Sequence, residues 1–253
     1  MSFYIEAVFR ISEKQLTKYL ISAVIDSLHA SYGISIGGKE KEKFVEIIYA
    51  GIRGEFKGYM ELSESGIPYR CGLFILTNAK DKKGLSFIPV PESVVYLVLS
   101  AHLSQFDDDY EAKGLLSGKA LREAFIRDAK IVYSVLHPDW GAMGMNSTLE
   151  GLAEESASKD ISDFLYPVNF YGPGWAKNIN KKVLQKFSPY RLEELDDGGL
   201  LVQFGEYLDK AIMKQDEHKR ESTTMKEMAK ALAAMTGQNV WWKGHEKELG
   251  WDE

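Results

Sequence analysis

The chain has 253 residues, 45% of them hydrophobic and 27% charged, which is enough to bury a sizeable core in one α+β domain without demanding two. A formal net charge of −6 and a pI near 5.5 argue against the clustered Lys and Arg that phosphate recognition needs, so basic or neutral protein partners are expected and nucleic acid is not. The single cysteine, Cys71, excludes an internal disulfide framework and cysteine-based zinc sites. No basic-then-apolar leader and no apolar run near the roughly 20 residues of a membrane span are visible, so a cytoplasmic protein off the membrane is expected.

"SFYIEAVFRI" (2–11) alternates apolar and polar residues and predicts a first strand. Ser12 then reads as an N-cap with Gln15 completing a capping box, and Leu16, Tyr19, Leu20, Ala23, Val24 and Leu28 recur at helical spacing, a stripe expected to lie in the core against a sheet. A helix from Glu13 to Ala30, stopped at Gly33, follows from that pattern. "KEKFVEIIYAG" (39–51) predicts another, ended by Gly51. Three β-rich runs come next, at 69–77, 84–90 and 93–100, and the third is apolar at nearly every position, as in a central strand covered on both faces.

In the second half, Ser117 caps a predicted helix that runs to His137 and turns Leu121, Ala124, Phe125, Ala129, Val132, Val135 and Leu136 to the core; Pro138 ends it. "DWGAMGM" then reads as a strand and the acidic stretch after Asn146 as a connection. "GPGWAKNINKKVLQKF" (172–187) predicts a turn followed by a basic helix, and "RLEELDDGGLLVQFGEYL" (191–208) a hairpin turned at Asp196-Asp197-Gly198-Gly199. A charged helix from Asp216 to Met235, stopped by Gly237, precedes a tail at 238–253 that either packs back on the domain or offers Trp241, Trp242 and Trp251 to a partner. The expected fold is a single α+β domain, a mixed or antiparallel sheet with helices packed on it. The sequence carries no signal for an oligomeric state.

Few stretches offer chemistry. "GISIGGKE" (33–40) has phosphate-loop spacing, but Glu40 stands where Ser or Thr should bind magnesium and a helix, not a strand, precedes it. The five histidines lie in separate elements without the spacing of a zinc helix, and no nucleophile elbow is present, so neither metal nor cofactor is expected. "FDDDYE" (106–111) is either a solvated acidic loop or a set of hard oxygen ligands for a divalent cation. On the second reading the chain would be a metal-dependent hydrolase using Asp107, Asp108 and Asp109 with His102 or His137. Pro138, Trp140, Gly141 and Gly144 are read as structural: proline stops the helix, Trp140 drops into the core and the glycines let backbone pass closely. Trp175, next to Gly174, is read the same way.

"HPDWGAMGM", then "GPGWAKNIN", then "RLEELDDGGLLVQFGE" resemble, in order and spacing, the immunity protein 52 family. The sharpest matches are Pro138, Trp140 and Gly141, then Gly174 and Trp175, then Gly198 and Gly199 in the hairpin turn. Here His137 precedes the proline where that family often has aspartate. The resemblance implies a non-catalytic immunity protein that neutralises a cognate bacterial toxin encoded beside it, of the polymorphic kind associated with type VI secretion and commonly a nuclease with a restriction-endonuclease-like fold. An acidic inhibitor suits such a target, because a nuclease presents Lys and Arg where DNA phosphates lie. Asp107, Asp108, Asp109, Tyr110 and Glu111 are the first candidates for the toxin-binding loop, with the stretches Glu150 to Asp163 and Glu193 to Asp197 next. A scaffold or regulator of a secretion apparatus is a third class.

Overall fold

Alternation along the first strand, β1 (Tyr4–Ser12), sends Ile5, Ala7, Phe9 and Ile11 to one face and Val8 to the other, and both faces are covered. The computed structural model describes residues 4–53, 60–77, 93–110, 115–145, 166–206, 208, 227–228 and 230–237. The predicted strand at 84–90, residue Glu111, the acidic connection after Asn146, the first part of the last helix and the tail at 238–253 lie outside them.

Among the described residues β1 lies near the middle of one eight-stranded sheet. Its companions are β2 (Met60–Glu61), β3 (Cys71–Thr77), β4 (Val94–His102), β5 (Trp140–Met145), β6 (Val168–Tyr171), β7 (Arg191–Glu194) and β8 (Leu200–Gln203). Their order is β2-β3-β4-β1-β5-β6-β8-β7, and every pairing is antiparallel. β4, the run without alternation, is buried from Val95 to Ala101, as expected of a strand with two covered faces.

Three helices cover the first face: α1 (Lys18–Ala30), α2 (Gly38–Ala50) and α3 (Gly118–Leu136). On the second face Val8, Val98, Trp140, Ala142 and Tyr171 pack under two short helices, α4 (Pro173–Ala176) and α5 (Lys181–Gln185), and under Met228 and Leu232 of the last helix. The basic helix expected after Trp175 is thus two pieces, because Asn180 caps afresh by accepting from the Lys182 amide. Gly237, at φ 75°, ends the last helix.

α1 begins later than its capping box predicts. Ser12 is still paired with Val94, and the Glu13 amide donates to the Ser93 carbonyl, so the chain stays extended there. The Ser12 amide does donate to Gln15 Oε1 (3.1 Å), but that bond closes a turn, and Thr17 caps the helix through the Leu20 amide. The resulting phase buries Ile21, Val24, Ile25 and Leu28 and leaves Tyr19, expected in the core, 84% exposed.

Trp140 is fully buried with Tyr166 edge-on to it, while its indole N–H meets no acceptor among the described residues. Trp175, expected to be buried as well, is half-exposed and stacks on Tyr171. Trp140→Ala should therefore lower unfolding stability by about 3–5 kcal/mol and Trp175→Ala by clearly less. Trp140→Phe, which keeps an aromatic ring in the site and leaves a smaller cavity, should cost less than Trp140→Ala. Equal denaturant midpoints for the two alanine variants would contradict the burial difference.

Candidate interaction surface

The three stretches behind the family resemblance meet at the C-terminal end of α3. The helix closes with His137 in the left-handed region (φ 45°), its amide bonded to the Tyr133 carbonyl, so the break occurs one residue before Pro138. β5 starts at once, and Gly141 faces Phe9 so closely that a Cβ would lie 2.6 Å from its ring. Gly172 donates to the Asp139 carbonyl (3.0 Å), and a Cβ there would sit 2.7 Å from the Pro138 carbonyl oxygen. Gly174 stands in open space, so the close-packed glycine of that stretch is Gly172.

The hairpin completes the junction. Gly198 takes φ 83° in its turn, and Asp197 accepts from the Gly199 amide (2.8 Å) and from the Tyr133 hydroxyl (3.0 Å). A methyl at Gly199 would overlap the Tyr133 hydroxyl and approach the Tyr171 carbonyl oxygen to 2.8 Å. Burial, then the Asp197 carboxylate, hold the Tyr133 phenol well above its ordinary pKa, so it remains a donor. His137 Nδ1 lies 3.6 Å from Asp197 with its side chain 66% exposed. Of the residues at this junction, Trp140, Gly141 and Gly199 are closely packed, Gly174 and Gly198 are not, and Asp197 is engaged inside the fold.

The predicted loop lies at the other end of α3. A single 3-10 turn, Leu103–Phe106, leads into it from β4, and Gln105 fixes that turn by bonding both backbone groups of Arg70. Asp107, Asp108 and Asp109 are exposed and Tyr110 is half-buried, its amide donating to the Asp107 carbonyl. The buried Arg122 guanidinium bonds the Phe106 carbonyl (3.0 Å) and Asp108 Oδ1 (2.9 Å) and approaches Glu206 at 3.5 Å. With the first turn of α3 beside it, the loop has positive partners for its charge within the molecule.

The remaining candidates divide. Glu193 pairs with Lys130, Glu194 with Lys181 and Asp197 with Tyr133, so the acidic hairpin is largely tied into the fold; Glu150 to Asp163 lie outside the described residues. Neither histidine joins Asp107–Asp109 in a metal set. His102 bonds Ser104 and packs edge-on to Tyr4, and His137 lies the length of α3 away, about 28 Å for 19 residues. Among the described residues no group of three or more His, Cys, Asp and Glu is placed to hold a metal ion. None of their helices is long and apolar enough to cross a membrane.

One polar cluster has no simple sequence signal. Asp128, on the buried side of α3, accepts from the Tyr32 hydroxyl (2.5 Å), the Tyr69 hydroxyl (2.8 Å) and the Arg127 guanidinium (3.1 Å), while that guanidinium stacks 4.4 Å from the Tyr32 ring centre. Burial raises the Asp128 pKa against the pull of those donors and pushes the thiol of nearby Cys71 well up. Cys71 is therefore a core residue. The cluster ties the turn after α1 and the segment leading into β3 to α3, and its members are too far apart in sequence to be recognised as a set.

Gly199→Ala should cost at least about 1–3 kcal/mol by overpacking. Adding Tyr133→Phe removes the nearest clashing atom, so the double variant should be less destabilised than the two single losses sum to in chemical denaturation. Strict additivity would remove the contact from the account.

No family model matches this chain, and no curated protein matches it. The chain is weakly similar to a solved structure described as "Pseudomonas aeruginosa T6SS protein PA0821", at a TM-score of 0.47 and 9% identity, over 89% of this chain and 73% of that one.

Proposed function

We propose that the chain is a non-catalytic immunity protein that binds and neutralises a cognate secreted bacterial toxin, a nuclease with a restriction-endonuclease-like fold. The observation that carries this reading is the convergence of the three motif stretches on one packed junction. Gly172 on Asp139, Gly199 on Tyr133 and Trp140 paired with Tyr171 make the resemblance one of an interlocked core. Such residues specify a scaffold and leave the surface to carry specificity.

The acidic rim supports the same reading. Asp107 and Asp109 project at a fixed end of α3, held by the Arg122 contacts to Asp108 and Phe106. Exposed carboxylates in a set geometry complement a basic cleft and steer encounter, an effect that lies mainly in the association rate.

The test is binding kinetics against the purified protein encoded beside this gene, the candidate toxin. The parent should form a tight complex and protect cells. Asp107→Lys with Asp109→Lys, which spares the Asp108–Arg122 pair, should slow association about tenfold or more at low salt while changing dissociation little. A parent that neither binds nor protects would overturn the proposal; a charge-reversed variant with unchanged association would remove the loop from it.

A further inference from the structure

We infer that Tyr190 is the anchoring contact of a docking surface for a basic protein, formed where the outer edge of β7 meets the N-terminal end of α3. This rests on the immunity reading and names the surface that would serve it.

Tyr190 and Tyr19 are the large hydrophobic side chains left exposed among the described residues. They differ in setting. Tyr19 projects 84% exposed from the first turn of α1, whereas Tyr190 is 42% exposed with its backbone fixed. Ser188 turns the chain at φ 51°, and the Tyr190 amide then donates to the Phe204 carbonyl (3.4 Å), continuing the β7–β8 ladder. A ring partly sunk and held by its backbone loses little freedom on docking, a property of aromatic hot spots.

The surroundings of Tyr190 select the partner. Arg191, next to it in the chain, reaches Glu123 across the surface, and Glu206, Glu123, Lys119 and Arg191 all act electrostatically on its phenol. Lys119 pairs with Glu206 (3.2 Å) and Arg191 with Glu123 (2.6 Å), so that frame is in place before any partner arrives. Arg122 joins Glu206 to Asp108, which puts Asp107 and Asp109 on the same rim. Carboxylates at 107, 108, 109, 123 and 206 outnumber the cations at 119, 122 and 191. A surface with that balance fits a cationic protein face carrying an apolar recess for one phenol ring. Beyond β7, no strand among the described residues occupies the sheet edge.

The experiment measures dissociation from the purified protein encoded beside this gene, the candidate toxin, using the full chain and its Tyr190→Ala, Tyr190→Phe and Tyr19→Ala variants. Thermal melts of the free variants confirm that each is folded. The expected result is about a 30-fold or greater weakening for Tyr190→Ala, carried mainly by faster dissociation, a smaller change for Tyr190→Phe and none for Tyr19→Ala. Parent-like binding by Tyr190→Ala, or equal weakening by Tyr19→Ala, overturns this inference and leaves the immunity reading standing. Absence of binding by the parent overturns both.

Discussion

The contact between Tyr133 and Gly199 is the constraint on which the C-terminal half of the sheet depends. It admits no side chain at 199, and the Tyr133 hydroxyl binds the same carboxylate that receives the Gly199 amide. Helix α3 is thereby fastened to the β7–β8 hairpin at one end, while Lys130 with Glu193 and Glu123 with Arg191 fasten it further along. Those exposed pairs contribute little one by one; the buried close approach decides the geometry they then decorate.

The two ends of α3 have different tasks in this account. At the C-terminal end Asp197 takes up the Tyr133 hydroxyl and the Gly199 amide, and the helix-breaking His137, with Gly141, Gly172, Gly199 and Trp140, completes a packed junction. At the N-terminal end Arg122 is buried but directs its charge outward through Asp108 and Glu206, so the loop and the segment after β8 are fixed relative to each other. Holding charged side chains in place beforehand lowers the entropy cost of association, which is the physical reason to seek the interface there.

Periodicity and turn chemistry made much of the fold legible. The apolar run of β4, the stripe of α3 and the Asp-Asp-Gly-Gly hairpin stand where their residues predict, because each is decided by local pattern and by burial of one or both faces. The start of α1 was not legible: Ser12 and Gln15 have cap chemistry, but pairing of β1 with β4 claims that segment first. Tyr19 left the core with that shift. The break between α4 and α5 follows a cap at Asn180 whose weight the sequence does not reveal.

The candidate site was legible only in part. "FDDDY" stands out as a charge run, yet its dependence on Arg122 joins residues 14 apart in sequence, and Glu206 and Tyr190 join from farther still. Likewise Gly174 drew notice beside Trp175 while Gly172 carries the close approach, a distinction that only the path of the neighbouring strand decides.

Hydrogen–deuterium exchange of the chain, alone and with the purified protein encoded beside its gene, tests the proposed toxin-binding surface most directly. The account predicts slower exchange on binding in residues 103–110 and 188–193, with the α1 segment around Tyr19 unchanged. Protection confined to α1 and α2, with those two segments unaltered, would contradict it.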